Sequence, residues 1–200
     1  MQNNYVYKFG NDLYLNLTNR CTNDCEFCVR RIKNGIGEDD LFLLKEPTID
    51  ELKEDLSMYP LKDFNEIVFC GYGEPMCNLS MMTQVGPYLK SKGLKTRLNT
   101  NGQGDLINKR ETAKIIAKFI DCVSISLNAA SAEFYQDICH SKYGEDAYYA
   151  VIKFAKDCVA LRMDVTLSVV DFIGEEEIEA SRKIAEEIGA KFRVRETIYE

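Results

Sequence analysis

The sequence predicts an α/β fold: an open, partial (βα)6 barrel built around a parallel six-stranded sheet. Six apolar, β-rich runs alternate along the chain with amphipathic helical segments. This order is typical of repeated βαβ units with right-handed crossovers. The second run, residues 66–70, is almost continuously apolar, as expected for a strand buried on both faces. Six units are too few to close an eight-stranded barrel, so we expect the sheet to stay open.

Local signals place the individual elements. Thr48 and Glu51 have the spacing of a capping box and predict a helix start. Gly86 and Pro87 are expected to kink or interrupt the second helix, and Ser131 is expected to cap a short one. The predicted strands are residues 13–17, 66–70, 96–100, 122–127, 164–170 and 191–195, and the predicted helices are residues 48–58, 78–92, 108–119, 131–138, 145–161 and from 175 onward.

Length and composition limit the classes of protein to which the chain can belong. Its 200 residues, 46% of them hydrophobic, fit one domain with a sizeable core, residues 1–200. The net charge of −7 argues against a protein that grips nucleic acid mainly through phosphates, although a local basic patch leaves nucleic acid an open partner. No run approaches the roughly 18 apolar residues of a membrane span. Eight cysteines without a signal peptide predict the reducing cytoplasm.

Three cysteines lie within eight residues of a polar, turn-like loop, residues 18–30. Cys21, Cys25 and Cys28 are spaced C-x3-C-x2-C. Three thiolates at this spacing can hold three corners of an iron–sulfur cube and leave the fourth iron without a protein ligand. A zinc site would need a fourth ligand, and no further cysteine or histidine lies near in sequence. The remaining alternative is that these are ordinary cysteines of a surface turn.

This cysteine motif, with an aromatic residue before its third cysteine, resembles that of the radical S-adenosylmethionine (radical SAM) superfamily. Two further segments resemble that family in the same order along the chain. Residues 71–75, Gly-Tyr-Gly-Glu-Pro, resemble its Gly-Gly-Glu-Pro motif, with Tyr72 in place of one glycine. Residues 99–102, Asn-Thr-Asn-Gly, resemble its Thr-Asn-Gly strand end. All three motifs follow predicted strands, where parallel α/β folds carry their chemistry.

A narrower resemblance comes from two other stretches. Residues 69–75 and 192–195 resemble the radical SAM proteins that are linked to TatD-type nucleases. The resemblance implies a functional link to such a nuclease and a nucleotide-related substrate. It is an analogy at the level of the family.

The superfamily resemblance implies two cofactors, a [4Fe-4S] cluster on Cys21, Cys25 and Cys28 and S-adenosylmethionine on the open iron. A reductant such as flavodoxin or ferredoxin would reduce the cluster. Cleavage of S-adenosylmethionine would then give a 5′-deoxyadenosyl radical that takes a hydrogen atom from a substrate. The cofactors carry the difficult chemistry, and the protein positions them.

The resemblance also implies which residues hold S-adenosylmethionine. Each has a purely structural alternative, such as a turn, a small strand residue or a hydrophobic anchor. The segment with Gly73 and Glu74 would receive the methionine ammonium group. Polar strand ends would contact the ribose or the carboxylate, and apolar side chains would pack beside the adenine. The polar candidates are Asn101 and Ser126, with Asn99 and Asn128 as alternates, and the apolar candidates are Phe27 and Val169.

Two arginines of the last predicted strand point to one face. Arg193 and Arg195 alternate with Val194. If that face is inward, both need an anion or a carboxylate partner. They would bind a carboxylate or phosphate of the substrate, with the loop 31–47 closing over it, or form salt bridges with Glu196 or with acidic residues of the outer helices.

The sequence therefore predicts a radical SAM enzyme whose substrate it does not name. A glycyl-radical-enzyme activating protein is one alternative, because its size and its cysteine motif would fit. A non-catalytic metal or redox sensor that uses the three cysteines is another. Reductive cleavage of S-adenosylmethionine separates the sensor from the two enzymes, and binding to a glycyl radical protein separates the enzymes.

Overall fold

A computed structural model describes residues 3–31, 35–36 and 39–197. The predicted closing loop, 31–47, is described only in part, because residues 32–34 and 37–38 lie outside the described residues. The strands of the described part are β1 (Val6–Phe9), β2 (Asp12–Leu15), β3 (Gly35–Ile36), β4 (Asp39–Asp40), β5 (Ile67–Phe69), β6 (Thr96–Thr100), β7 (Cys122–Ser126), β8 (Asp164–Val170) and β9 (Lys191–Arg195).

The main sheet has seven strands in the order β1-β2-β5-β6-β7-β8-β9, and β3 pairs with β4 in a separate ribbon. All neighbours from β2 to β9 in the main sheet are parallel. The predicted α/β fold with six parallel strands is therefore confirmed, and the sheet is not closed. The seventh strand, β1, was not predicted. It pairs antiparallel with β2, with Val6 opposite Leu15.

Most helices agree with their sequence signals. Thr48 and Glu51 form the predicted capping box, and Ser131 Oγ accepts a hydrogen bond from Phe134 N at the start of α5. The helices of the described part are α1 (Ile49–Ser57), α2 (Leu79–Ser91), α3 (Gly104–Asn108), α4 (Ala113–Ile116), α5 (Ala132–Cys139), α6 (Asp146–Ala160) and α7 (Glu175–Ile188).

Two helix predictions are corrected. The predicted helix 108–119 is replaced by the short helices α3 and α4. Lys109 ends α3 in the left-handed conformation at φ 52°, and the Asp105 carboxylate accepts two hydrogen bonds from Thr112, each 2.8 Å long. These contacts turn the chain between the two helices. Helix α2 continues through Pro87, so the interruption that was expected as one of two outcomes, beside a kink, does not occur.

The two faces of the sheet differ in polarity. One face packs under the helices and carries apolar side chains such as Phe69, Leu98 and Leu167, all fully buried. Side chains alternate along a strand, so the intervening residues point into the partial barrel. Many of these inward residues are polar. The barrel lumen is therefore the place where the fold collects side chains able to do chemistry. Within the described part, no helix has the length and apolar character needed to span a bilayer.

Candidate active site

The cysteine loop is anchored on the end of α5. The backbone N–H groups of Asp24 and Glu26 donate to the carbonyls of Cys139 and Ile138, each over 3.0 Å. These carbonyls lie in the last turn of α5, where they have no partner within the helix. The loop therefore has a fixed position although it contains no regular secondary structure between residues 18 and 25.

A network of buried polar side chains also holds the cysteine loop in place. Thr22 donates to Gln103 Oε1 over 2.7 Å, and Gln103 Nε2 donates to Asn23 Oδ1 over 2.8 Å and to the Tyr135 hydroxyl over 3.0 Å. Gln103 and Tyr135 are fully buried. The sequence analysis missed both residues. The only available signal was the polar loop itself, which needs buried partners once it is packed.

The second family-like segment lies directly against this loop. Gly73 N donates to Thr18 O over 2.9 Å, and Glu74 N donates to Arg20 O over 2.8 Å. A Cβ atom added to Gly73 would lie 2.6 Å from Thr18 O, which is too close for any other residue. Gly73 is thus required by the backbone contact between the two motifs.

Tyr72, the departure from the family's glycine, also contacts residues from elsewhere in the chain. Its ring packs edge-on against Phe42 with centroids 5.6 Å apart, and the Arg30 guanidinium lies 5.1 Å from the ring centroid. Tyr72 N donates to Asn16 Oδ1 over 3.0 Å. The substitution therefore joins the segment 39–47 to the cysteine loop without disturbing the glycine that touches that loop.

Glu74 is buried, and its carboxylate accepts three hydrogen bonds. Oε1 accepts from Thr100 Oγ1 over 2.7 Å and from Met76 N over 3.0 Å, and Oε2 accepts from Asn101 N over 2.7 Å. Burial raises the pKa of Glu74, although these bonds favour its charged form. Among the described residues Oε2 has one donor, so it can accept another hydrogen bond. Glu74 thus ties the second motif to the third and retains acceptor capacity.

The three motif cysteines line one cavity of about 300 Å³. Burial raises the pKa of Cys21 to about 12 and also raises that of Cys28, while the adjacent Cys139 thiol, together with burial, raises that of Cys25. Loading a metal centre here must therefore release protons.

The donor set suits a cluster better than a single ion. Among the described residues, no group of three or more His, Cys, Asp or Glu side chains is close enough to hold one metal ion. In a cubane each cysteine binds a different iron, so three thiolates around one cavity fit that group. All eight cysteines are free, so the three ligands are not consumed by disulfides.

The other predicted cofactor residues divide into two groups. Phe27, Gly73, Glu74 and Ser126 line the same cavity as the cysteines. Asn101 does not line it, because its Nδ2 donates to Thr22 and its Oδ1 accepts from Gln103 N.

Val169, the predicted adenine contact, is not among the described residues that line this cavity. Val169 is fully buried, and successive strand side chains point to opposite faces. Its neighbour Val170 lines the cavity instead. Phe27, in the wall of the cavity, packs on Phe172 with ring centroids 5.4 Å apart.

A second cavity of about 210 Å³ lies in the barrel lumen, with Arg193 and Arg195 in its wall. Within the described residues, neither arginine forms an ion pair, so the expected alternative with Glu196 is not seen. Arg195 Nη2 donates to Asn128 Oδ1 over 3.0 Å, and Asn128 Nδ2 donates to Cys139 Sγ over 3.4 Å. Burial lowers the pKa of Arg195, as does the nearby charge of Arg193.

The sequence comparison agrees with this geometry. The sequence model of the radical SAM superfamily matches residues 15–185. The chain therefore belongs to the radical SAM superfamily, a family of enzymes whose cofactors are a [4Fe-4S] cluster and S-adenosylmethionine. The comparison with curated proteins found no match.

Several solved structures share the fold. Streptococcus suis SuiB bound to its precursor peptide SuiA is 18% identical with a TM-score of 0.69, over 96% of this chain and 40% of that one. The protein anSMEcpe with bound AdoMet is 16% identical with a TM-score of 0.64, over 92% and 50%. A radical SAM methyltransferase from Sphaerobacter thermophilus is 15% identical with a TM-score of 0.60, over 96% and 57%. The chain thus spans little more than half, or less, of these relatives.

Proposed function

We propose that this chain is the catalytic domain of a radical SAM enzyme that acts on an anionic substrate. The carrying observation is that Cys21, Cys25 and Cys28 share one cavity with Gly73 and Glu74. When bound, the cluster and S-adenosylmethionine supply a 5′-deoxyadenosyl radical that takes a hydrogen atom from the substrate. The family's chemistry favours an enzyme over a sensor.

The residues of this chain have separate tasks in that reaction. The three cysteines hold the cluster, and the spare acceptor capacity of Glu74 Oε2 suits the methionine ammonium group. Ser126 lies in the walls of both cavities and offers a hydroxyl to the ribose or the carboxylate. Phe27 provides an apolar surface for the adenine. Val170, which lines the same cavity, takes the role that was predicted for Val169.

Arg193 and Arg195 hold the substrate. Both line the lumen cavity, and both lack a carboxylate partner among the described residues. Arg193 is exposed and Arg195 is partly buried. A guanidinium without a carboxylate partner favours an anion, and it binds a carboxylate or phosphate by two parallel hydrogen bonds. The narrower link to a TatD-type nuclease, and with it a nucleotide-related substrate, rests on residues 69–75 and 192–195 alone.

The proposal also includes an electron donor and a location in the cell. A one-electron donor such as flavodoxin or ferredoxin has to reach the cluster. A cytoplasmic location suits eight free cysteines.

The test is reductive cleavage of S-adenosylmethionine. Protein reconstituted anaerobically with iron and sulfide, then reduced with dithionite, should give 5′-deoxyadenosine and methionine, measured by mass spectrometry. The matched control is Cys122→Ala, which removes a cysteine that lies outside the cofactor cavity. Protein that holds about four irons per chain but gives no 5′-deoxyadenosine would refute the proposal.

The anionic substrate needs its own measurement. Inorganic phosphate should bind the protein in a calorimetric titration, and Arg195→Gln should weaken that binding at least tenfold, or about 1.4 kcal/mol. Unchanged phosphate affinity in Arg195→Gln would remove the arginine from the substrate site. A glycyl radical in a partner protein, seen by electron paramagnetic resonance, would instead support the activating-protein alternative.

A further inference from the structure

Cys70 is a cysteine for which the proposed function has no use. It follows β5, and its side chain lies in the wall of the lumen cavity together with Asn99, Ser124 and Arg195. Of the eight cysteines, three line the cofactor cavity, and Cys70 alone lines this second one. Cys70 is therefore the one cysteine that shares the lumen wall with both arginines.

The lumen cavity is independently marked as a ligand site. The Nε of Arg195 and the Oδ1 of Asn99 are both buried, and neither has a hydrogen-bond partner among the described residues. Buried polar atoms are normally hydrogen-bonded, so two unsatisfied ones in one wall indicate a missing polar partner. The same wall contains the Cys70 thiol.

The lumen cavity adjoins the cofactor cavity. Gly73, Glu74, Ser126 and Arg195 belong to the walls of both. A substrate in the lumen would therefore lie beside the residues that would hold the cofactor, with Cys70 in its own wall. Burial raises the pKa of Cys70, more strongly than the neighbouring Asn99 amide lowers it, so the thiol keeps its hydrogen at neutral pH.

An S–H bond is weaker than most C–H bonds, so a carbon-centred radical takes a hydrogen atom from a thiol readily. We propose that Cys70 gives its S–H hydrogen atom to the carbon radical of the substrate bound in the lumen cavity. This inference rests on the proposed function. It makes Cys70 a catalytic residue that ends the radical reaction after the substrate has rearranged or fragmented.

The step balances with one named co-reactant. The substrate radical gains the hydrogen atom and forms a C–H bond, while Cys70 loses it and becomes a thiyl radical. One electron from the flavodoxin- or ferredoxin-class donor and one proton from water restore the thiol. Together with the electron that cleaves S-adenosylmethionine, each turnover consumes two electrons and one proton. Two electrons per 5′-deoxyadenosine are therefore expected in the presence of substrate.

The isotope content of 5′-deoxyadenosine tests the placement without knowledge of the substrate. In D2O the Cys70 thiol carries deuterium, whereas carbon-bound hydrogens do not exchange. Reconstituted, reduced protein without substrate should give mono-deuterated 5′-deoxyadenosine, and Cys70→Ala should lower the deuterated fraction at least fivefold. The fraction is measured per molecule of product, so a lower yield does not affect it. Cys122→Ala should keep the wild-type fraction.

Alkylation of the apoprotein gives a second measurement that needs no cofactor. Inorganic phosphate should slow the reaction of Cys70 with iodoacetamide several-fold, as measured by peptide mapping, while Cys122 reacts at an unchanged rate. Arg195→Gln should abolish the protection.

The two proposals can fail separately. Absence of any 5′-deoxyadenosine would refute the proposed function. Unlabelled product from the wild type, equal labelling in Cys70→Ala, or no phosphate protection of Cys70 would overturn the role of this thiol.

Discussion

The two ends of the barrel lumen each contain a largely buried arginine, and the surroundings of these two arginines differ. At the amino-terminal end, Arg97 lies 3.0 Å from Asp12 and 2.7 Å from Glu66. The Glu66 contact is an ion pair whose N–H is not aligned for a hydrogen bond, since Arg97 Nε is among the unsatisfied atoms. At the carboxyl-terminal end, Arg195 has the Asn128 amide as its one side-chain partner within the described part of the chain.

This difference distinguishes a structural arginine from a functional one within the same lumen. The cation at the amino-terminal end is compensated by protein carboxylates, so its removal would leave buried charge without its partner. The cation at the other end has no carboxylate partner among the described residues and costs desolvation free energy, which indicates a role in binding an anion. That end also carries the cysteine loop, so substitutions at the two ends of the lumen should affect different properties of the protein.

The largest effect is expected from the cysteine loop. Changing Cys21, Cys25 and Cys28 together to alanine should lower the iron content of reconstituted protein from about four per chain to near zero. The far-ultraviolet circular dichroism should not change, because these thiols lie at the functional end. A triple variant that retains full iron would place the cluster elsewhere.

The second prediction compares the two arginines directly. Arg97→Gln removes this cation from Asp12 and leaves Glu66 paired with Lys95 alone, and it should lower the free energy of unfolding by about 2–3 kcal/mol, less than the roughly 3–5 kcal/mol of a fully buried pair. Arg195→Gln should stay within about 1 kcal/mol of the wild type. Urea denaturation measures both. Equal destabilisation by the two substitutions would make Arg195 a structural residue.

Glu74 should give a mixed result, because it serves both structure and cofactor. Glu74→Ala leaves Thr100, Asn101 N and Met76 N without an acceptor and should cost about 1–3 kcal/mol of stability. Binding of S-adenosylmethionine, measured by equilibrium dialysis, should weaken while iron content stays at about four per chain. Loss of iron in parallel with binding would indicate a structural role only. Glu74→Gln is the matched control, since it keeps an acceptor oxygen but not the charge.

The smallest effect is expected from a control substitution that lies away from both ends of the lumen. Thr48→Ala removes the side-chain half of the capping box at α1 and should cost about 1 kcal/mol in urea denaturation. Binding of inorganic phosphate should be unaffected. A change in phosphate affinity would mean that the lumen responds to general destabilisation, and the arginine comparison would lose its meaning.

Much of the fold is encoded locally and could be predicted from the sequence. The strands at residues 96–100, 164–170 and 191–195 agree with the structure at both ends. Apolar runs, helix caps and the cysteine spacing each depend on neighbours within a few residues, so one sequence displays them. These local signals determined the parallel α/β fold, the family and the three cysteines that share one cavity.

Only the tertiary structure decided the rest, because those features join residues far apart in the chain. The hydrogen bond from Asn23 to the Tyr135 hydroxyl spans 112 positions. Asn101 does not line the cofactor cavity because of its contacts with the cysteine loop. Val170 lines the cavity and Val169 does not, because of the orientation of their strand. Residue type alone would not show either fact. The same is true of Arg97 and Arg195. In the sequence both are simply arginines of predicted strands, and only the packed lumen shows that Arg97 lies beside two carboxylates while Arg195 has none among the described residues.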